Sequence, residues 1–161
     1  MGIFGKLDAR NVSTNPFFVE EGEYTGVVES AKIVENKEKE KTQLIISYKI
    51  TDKGNKYYGK LVTEWFTIYP EMDEETYASL SPEEQGIVDR NNTNVKRRLC
   101  GWSKPDGTVV STGLGVPESE LNEDWDPKVL LNIEVDLGVK NSGDDNEYTN
   151  VKWVRRADEA F

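Results

Sequence analysis

Apolar and polar residues alternate along three segments in the first half of the chain, a pattern typical of strands with one buried face. Alternation is clearest over residues 42–51, where one face carries Leu44, Ile46, Tyr48 and Ile50. Residues 22–35 and 57–69 alternate less strictly, and Gly26 in the first of them predicts a bend or bulge. Short polar segments separate the three, so the pattern predicts a three-stranded antiparallel meander.

A helical pattern follows the meander. Ser81, Pro82 and Glu84 form the sequence of a capping box with proline in the first turn, which predicts a helix beginning there. The predicted apolar face carries Val88, Val95, Leu99 and Trp102. Gly101 is expected to end this helix, and Asn91-Asn92 leave a break within it open. Residues 73–80 predict a shorter helix before it.

The last third of the chain returns to strands. Residues 103–128 predict a loop, residues 129–139 alternate strictly, and residues 148–154 form a last strand after a turn. Three strands, a helix and two strands are the chain order of an OB-fold, a five-stranded Greek-key barrel with a helix between strands 3 and 4. A small β-sandwich is the alternative fold.

The predicted fold is therefore mainly β with a helical insert, organised as one OB-fold-like domain over residues 22–156. An acidic insert spans about 70–102, an N-terminal arm precedes the domain over 1–21, and a short acidic tail follows over 157–161. Within the arm, Phe17, Phe18 and Val19 either pack on the barrel or anchor a mobile segment.

The net charge of −10 argues against binding to nucleic acid, but the acids are unevenly distributed. Residues 71–89 hold seven acids and residues 118–126 hold five, with no Lys or Arg in either segment. Without these twelve acids the rest of the chain carries +2. Whether the two acidic segments are solvated surface or have a specific role stays open.

Composition also narrows the chemistry. The chain has no histidine and one cysteine, Cys100, which excludes an imidazole base, a Cys-His zinc site and an intramolecular disulfide. We expect Cys100 to be buried, and we expect no enzymatic activity, no metal and no cofactor. No long apolar run predicts a membrane span, and residues 1–15 lack a secretory signal pattern. The expected location is the cytoplasm.

Binding of a single strand without sequence preference needs aromatic faces for the bases and cations along the phosphates. The aromatic candidates are Tyr57, Tyr58, Trp65, Tyr69 and Trp153. The cationic candidates are Lys49, Lys60, Lys96, Arg97, Arg98, Lys152, Arg155 and Arg156. Each aromatic residue has the alternative role of a core residue, and which face of the predicted third strand is buried stays open.

The chain resembles phage-encoded OB-fold single-stranded DNA-binding proteins. The similar blocks are GEYTGVV, TQLIISYKI, YYGKLVTEWFTI, NVKRRLCGW, PKVLLNIEVDLG and EYTNVKWV, which together run from about Gly22 to Val154. They are structural patterns without a catalytic signature. The chain departs from simpler members of this family in its acidic stretch 71–89 and in lacking a long acidic tail.

The resemblance implies an OB barrel that coats or protects single-stranded DNA during phage DNA replication or recombination, with little sequence preference. Asp158, Glu159 and Phe161 resemble the acidic ends with which such proteins dock replication or recombination partners; a frayed terminus is the alternative. If the gene belongs to a phage, the location is the host cytoplasm. The competing hypothesis is a phage structural, assembly or protein-interaction module on the same barrel, and homo-oligomerisation stays open.

Overall fold

The computed structural model describes residues 17–36, 38, 41–69 and 72–157. Seven strands and two α-helices are assigned there: β1 (Gly22–Asn36), β2 (Lys41–Ile50), β3 (Leu61–Ile68), α1 (Glu74–Ser79), α2 (Pro82–Cys100), β4 (Trp102–Ser103), β5 (Val109–Ser111), β6 (Glu134–Ser142) and β7 (Tyr148–Arg156). Two short 3₁₀ helices, Glu118–Glu120 and Pro127–Leu130, lie between β5 and β6.

Five strands form one antiparallel sheet in the order β3-β2-β1-β6-β7. The prediction of a mainly β chain with a helical part between the third and fourth strands of the sheet is confirmed. The small antiparallel pair β4-β5 was not predicted. No helix in the described residues is both long and apolar enough to cross a membrane.

The sheet is strongly curved. The outer strands of a flat five-stranded sheet would lie about 19 Å apart, yet β3 and β7 contact each other. Since each neighbouring pair in the sheet is antiparallel, β3 and β7 run in the same direction. Within the described residues, the backbone hydrogen-bond ladders join β3 to β2, β2 to β1, β1 to β6 and β6 to β7.

The core confirms the alternation predicted for β2, because Leu44, Ile46, Tyr48 and Ile50 are all fully buried. On β1 the buried side changes parity between Val28 and Ala31, where the register with β2 shifts. The bulge therefore lies a short distance after Gly26. At Gly26 itself, an added Cβ would lie 2.8 Å from the carbonyl oxygen of Lys49, so this glycine permits close packing of β1 on β2.

Two predicted strand starts were wrong by several residues. The third strand begins at Leu61, because residues 52–60 form turns in which the backbone N–H of Tyr58 bonds the carbonyl of Asn55. The fourth strand of the sheet begins at Glu134, because Asp126 and Pro127 start a 3₁₀ helix. Local capping and turn chemistry overrode alternation at both places.

Helix α2 begins as predicted, with both hydrogen bonds of the capping box between Ser81 and Glu84 formed. It runs without a break through Asn91, whose side-chain N–H donates to the carbonyl of Ile87 at 2.8 Å. Val88 and Leu99 are buried as expected, but the assignment of Trp102 to this face was wrong. Trp102 follows Gly101, where the helix ends, and is exposed in β4.

The segment that leads into β1 packs on the sheet. Val19 is fully buried, and its backbone N–H donates to Oγ1 of Thr149 at 3.0 Å. Phe17 is exposed beside β7, the strand that contains Thr149. The tail residues Asp158, Glu159 and Phe161 lie outside the described residues, as do residues 1–16 of the predicted arm.

Candidate functional site

A groove runs between β3 and β7, the two outer strands of the sheet. One part, a cavity of about 570 Å³, is also bordered by α2 and Trp102. A second cavity of about 590 Å³ shares Thr63, Trp65, Thr149 and Asn150 with the first and extends to Tyr148 and Phe17. We call the two together the β3–β7 groove.

Three of the four tryptophans of the chain, Trp65, Trp102 and Trp153, line this groove. Each arrives from a different element, namely β3, β4 and β7. Trp65 is 61% exposed, which leaves much of its indole accessible to another ring. An exposed indole in a concave site is unusual for a residue that serves only as core.

The orientation of Trp65 follows from a buried acid on the same strand. Val62 and Glu64 face the interior, so the intervening and following odd-numbered side chains, including Trp65, face outward. This resolves which face of the third strand is buried. Glu64 is tolerated inside because a cation and a hydroxyl meet its carboxylate.

Arg98 of α2 and Tyr48 of β2 satisfy the buried Glu64. The guanidinium of Arg98 contacts the carboxylate in bidentate fashion, with Nη2 to Oε1 at 2.7 Å and Nε to Oε2 at 3.1 Å. The hydroxyl of Tyr48 donates to Oε2 at 2.7 Å. Burial raises the pKa of the Glu64 carboxyl, and the charge of Arg98 opposes that rise. Burial, followed by the nearby Glu64 charge, holds the pKa of Tyr48 well above its ordinary value.

This ion pair joins α2 to β3 along one side of the β3–β7 groove. The charge of Arg98 is balanced by Glu64, so this arginine attracts a phosphate less than its position in the groove suggests. The geometry therefore gives little support to the prediction that Arg98 contacts a phosphate. Its ion pair with Glu64 instead holds α2 against β3 in the wall of the groove.

Arg97 and Trp102 form the end of the groove at α2. The guanidinium carbon of Arg97 lies 4.9 Å from the centre of the Trp102 ring, a cation–π geometry. Gly101 has φ +83°, and a Cβ there would lie 1.8 Å from the carbonyl oxygen of Ser111. Only glycine fits this conformation and this space, so it sets the direction in which the chain carries Trp102 away from α2.

Trp153 lies against Gly138 on the neighbouring strand. A Cβ at position 138 would be 2.2 Å from Nε1 of the indole. Arg155 stacks near the same ring at 5.8 Å and pairs with Asp136, Nε to Oδ2, at 3.4 Å. Lys152 lines the groove, is exposed and has no ion pair within the described residues.

Substitution Gly138→Ala is expected to displace the Trp153 indole and to lower the free energy of unfolding by about 1–3 kcal/mol, as overpacking does. Urea denaturation measures the loss, and near-UV circular dichroism reports the altered indole environment. Gly86→Ala in α2 is the control for adding a methyl group, since no atom of the described residues outside its own stretch of helix lies within 4 Å of a Cβ there and its φ is not positive. An unchanged near-UV spectrum for Gly138→Ala would contradict the contact.

The structure separates the sequence-predicted site residues into two groups. Those lining the β3–β7 groove are Trp65, Arg97, Arg98, Lys152 and Trp153. Those located elsewhere are Lys49, Tyr57, Tyr58, Lys60, Tyr69, Lys96, Arg155 and Arg156. Tyr57 packs edge-on against Tyr24, with ring centres 6.1 Å apart, and Tyr58 is exposed in the turn before β3.

Tyr69 and Lys96 border a different cavity on the other flank of α2. There Lys96 forms an ion pair with Glu118, Nζ to Oε1, at 3.1 Å. Arg156 lies near Gly115 and borders a small cavity beside Asn132. None of these three positions is continuous with the β3–β7 groove in the described residues.

Sequence reasoning missed Trp102 and Tyr148 as groove residues. For Trp102, Gly101 could have indicated this position. Because Gly101 was predicted to end the helix, the residue after it should lie outside the helix. Tyr148 follows a turn containing Gly143 and begins an edge strand, and no pattern in the sequence distinguishes such a tyrosine from a core residue.

In the part of the chain that the structure describes, no group of three or more Cys, Asp or Glu side chains is arranged to hold a metal ion. The sequence matches no protein-family model, and a search of curated proteins found no match.

Proposed function

We propose that this chain is a non-enzymatic protein that binds single-stranded DNA in the β3–β7 groove. The observation that carries the proposal is the convergence of Trp65, Trp102 and Trp153 on one groove, with Arg97 and Lys152 beside them. Aromatic faces stack bases of any sequence, and the cations contact the phosphates. In the cell, the protein would coat or protect single strands during DNA replication or recombination.

The energetics favour stacking over charge attraction. Each base stacked on an aromatic side chain contributes about 1–3 kcal/mol, so two or three stacked bases suffice for useful affinity. The overall charge of −10 opposes a polyanion, but this repulsion is screened beyond about 10 Å at moderate salt. Stacking is insensitive to that charge, which makes an acidic chain compatible with binding to a single strand.

The fold supports the same proposal. We propose an OB-fold-like barrel in which β3 and β7 close the sheet, with the DNA lying across the groove where they meet. The supporting features are the strand order, the parallel direction of β3 and β7, their contact, and a helix between the third and fourth strands of the sheet. OB barrels bind oligonucleotides on the face of their second and third strands, and Trp65 projects outward from the third.

Titration with an oligo-dT strand tests the proposal through intrinsic tryptophan fluorescence. We expect strong quenching at low salt, because bases cover the exposed indoles. With two phosphate-contacting cations, the slope of log K against log salt should be about −1.4, since each contact on a single strand contributes about −0.7. Duplex DNA of equal length is the control and should quench weakly.

Two results would contradict the proposal. Folded protein that shows no quenching at low salt would leave the tryptophans without the assigned role and would favour a protein-binding or assembly function. Equal quenching by duplex DNA would show that the groove does not require unstacked bases.

A further inference from the structure

A second groove, separate from the proposed DNA site, lies on the other flank of α2. Its cavity of about 710 Å³ is lined by Ile33, Ile68, Val95, Leu121 and Trp125, together with Asp89 and Glu123. We call it the acidic groove. Residues 91, 94 and 98 of α2 line the β3–β7 groove, whereas residues 92, 95 and 99 line the acidic groove, so the helix separates the two.

The interior of the acidic groove is apolar and incompletely covered. Ile33 is 43% exposed at the end of β1, and Ile68, Val95, Leu121 and Trp125 are only half-buried. The indole N–H of Trp125 is buried, yet it has no hydrogen-bond acceptor within the described residues. A buried donor without an acceptor costs free energy, so the described residues leave this side of the groove incompletely satisfied.

The surroundings of this groove are acidic. Asp89 ends the acidic segment 71–89 and accepts a hydrogen bond from the Tyr77 hydroxyl of α1 at 2.7 Å, which holds that helix close to the groove. Glu123 belongs to the acidic segment 118–126. Among the described residues that line the groove, Lys96 is the one cation, and it is paired with Glu118. Apart from Glu118, the acids of these two segments that the structure describes have no ion pair.

We propose that the acidic groove docks a cationic segment with apolar side chains from a partner protein. Apolar side chains of the segment would cover Ile33, Leu121 and Trp125, and its Lys or Arg residues would meet Asp89 and Glu123. Charge complementarity selects this occupant, because the exposed acids around an apolar groove repel an acidic segment and give a neutral one no advantage. The docking site gives the two acidic segments a specific role that is independent of DNA binding.

The experiment measures binding of a fluorescently labelled amphipathic peptide of leucine and lysine to the full chain by anisotropy. A peptide with the same lysines and serine in place of leucine is the charge control, and a leucine–glutamate peptide is the sign control. We expect binding of the leucine–lysine peptide alone. Substitution Ile33→Ser should weaken it about tenfold, as loss of buried apolar surface implies, and Glu123→Lys should weaken it in the same range.

Matched variants separate this proposal from its alternatives. Val109→Ser removes another β-branched apolar side chain, which is 60% exposed elsewhere, and Asp144→Lys reverses an exposed charge in the β6–β7 turn; both should bind the peptide as the wild type does. Trp65→Ala should also leave peptide binding unchanged, so failure of the DNA proposal does not affect this test.

Three outcomes would overturn the docking proposal. Equal binding of the serine control would reduce the interaction to general charge attraction. Unchanged affinity in Ile33→Ser would place the peptide outside the groove. Concentration-dependent self-association of the chain that disappears in Ile33→Ser would assign the groove to a second copy of the protein.

Discussion

Substitution Trp65→Ala is expected to lower the affinity for oligo-dT about 5-fold to 150-fold, because it removes one stacking platform worth about 1–3 kcal/mol. Trp65 lies in both cavities of the β3–β7 groove, so its loss interrupts the groove at its middle. The free energy of unfolding should change little, since the indole is 61% exposed. Fluorescence anisotropy of a labelled oligonucleotide measures the affinity, and urea denaturation measures the stability.

Two variants make this result specific. Trp65→Phe retains an aromatic face and should recover part of the affinity. Tyr58→Ala removes an aromatic residue that is 54% exposed but lies outside the groove, and it should bind as the wild type does. If Tyr58→Ala loses as much affinity as Trp65→Ala, the single strand contacts the turn before β3 instead of the groove.

Substitution Arg98→Met is expected to lower the free energy of unfolding by about 3–5 kcal/mol, because it leaves the Glu64 carboxylate buried without its cation. Arg97→Met is a matched control, since Arg97 is exposed and lies over Trp102 without an ion pair in the described residues. Its effect on stability should stay within about 1 kcal/mol, the contribution of an exposed cation–π contact. Adding Glu64→Gln to Arg98→Met should restore part of the stability, because no charge then remains buried.

The same variant has a characteristic dependence on pH. Burial raises the pKa of the Glu64 carboxyl, and removal of Arg98 removes the charge that opposes this rise. The folded state then holds the proton more tightly than the unfolded state, whose glutamates have a pKa of about 4.3. The stability of Arg98→Met should therefore increase as the pH falls through the raised pKa of Glu64 in the folded state. The increase should level off near the pKa of glutamate in the unfolded state.

Urea denaturation across this pH range checks the sign. Arg98→Met should become more stable on moderate acidification, and the double variant, which lacks the carboxyl, should lack that gain. A stability of Arg98→Met that falls over the same interval would show that Glu64 is not the group that titrates.

Much of the secondary structure could be predicted from the sequence because local patterns decide it. Leu44, Ile46, Tyr48 and Ile50 alternate along one strand, so a single strand orientation buries all four. The capping box at Ser81 satisfies N–H groups in the first turn of α2 wherever the helix packs. Predictions failed where turn or capping chemistry competes with alternation, as at Tyr57 and Leu131. There, neighbouring Asn, Asp, Pro and Gly residues decided the backbone conformation.

The candidate site could be predicted only in its chemistry. Composition and strand position indicated that aromatic and cationic residues were available, and Trp65, Arg97, Lys152 and Trp153 were among those named. The sequence did not distinguish them from Tyr69 or Lys96, which are close to them along the chain but on the other flank of α2. The apolar residues of a helix predict which face is buried. They do not predict which strands or loops lie beside each flank of that face, because those contacts depend on how the other elements pack.

The sequence by itself determined the order of the elements, the buried face of β2, the start of α2 and the concentration of acid in two segments, because each depends on residues close together in the chain. The tertiary structure alone decided that Trp65, Trp102 and Trp153 meet in one groove and that Glu64 and Arg98 pair in its wall. Both results depend on the curvature that brings β3 and β7 together. Gly26 already indicated a bend or bulge in the first strand, but how far the sheet curves depends on the packing of five strands at once, which no single segment specifies.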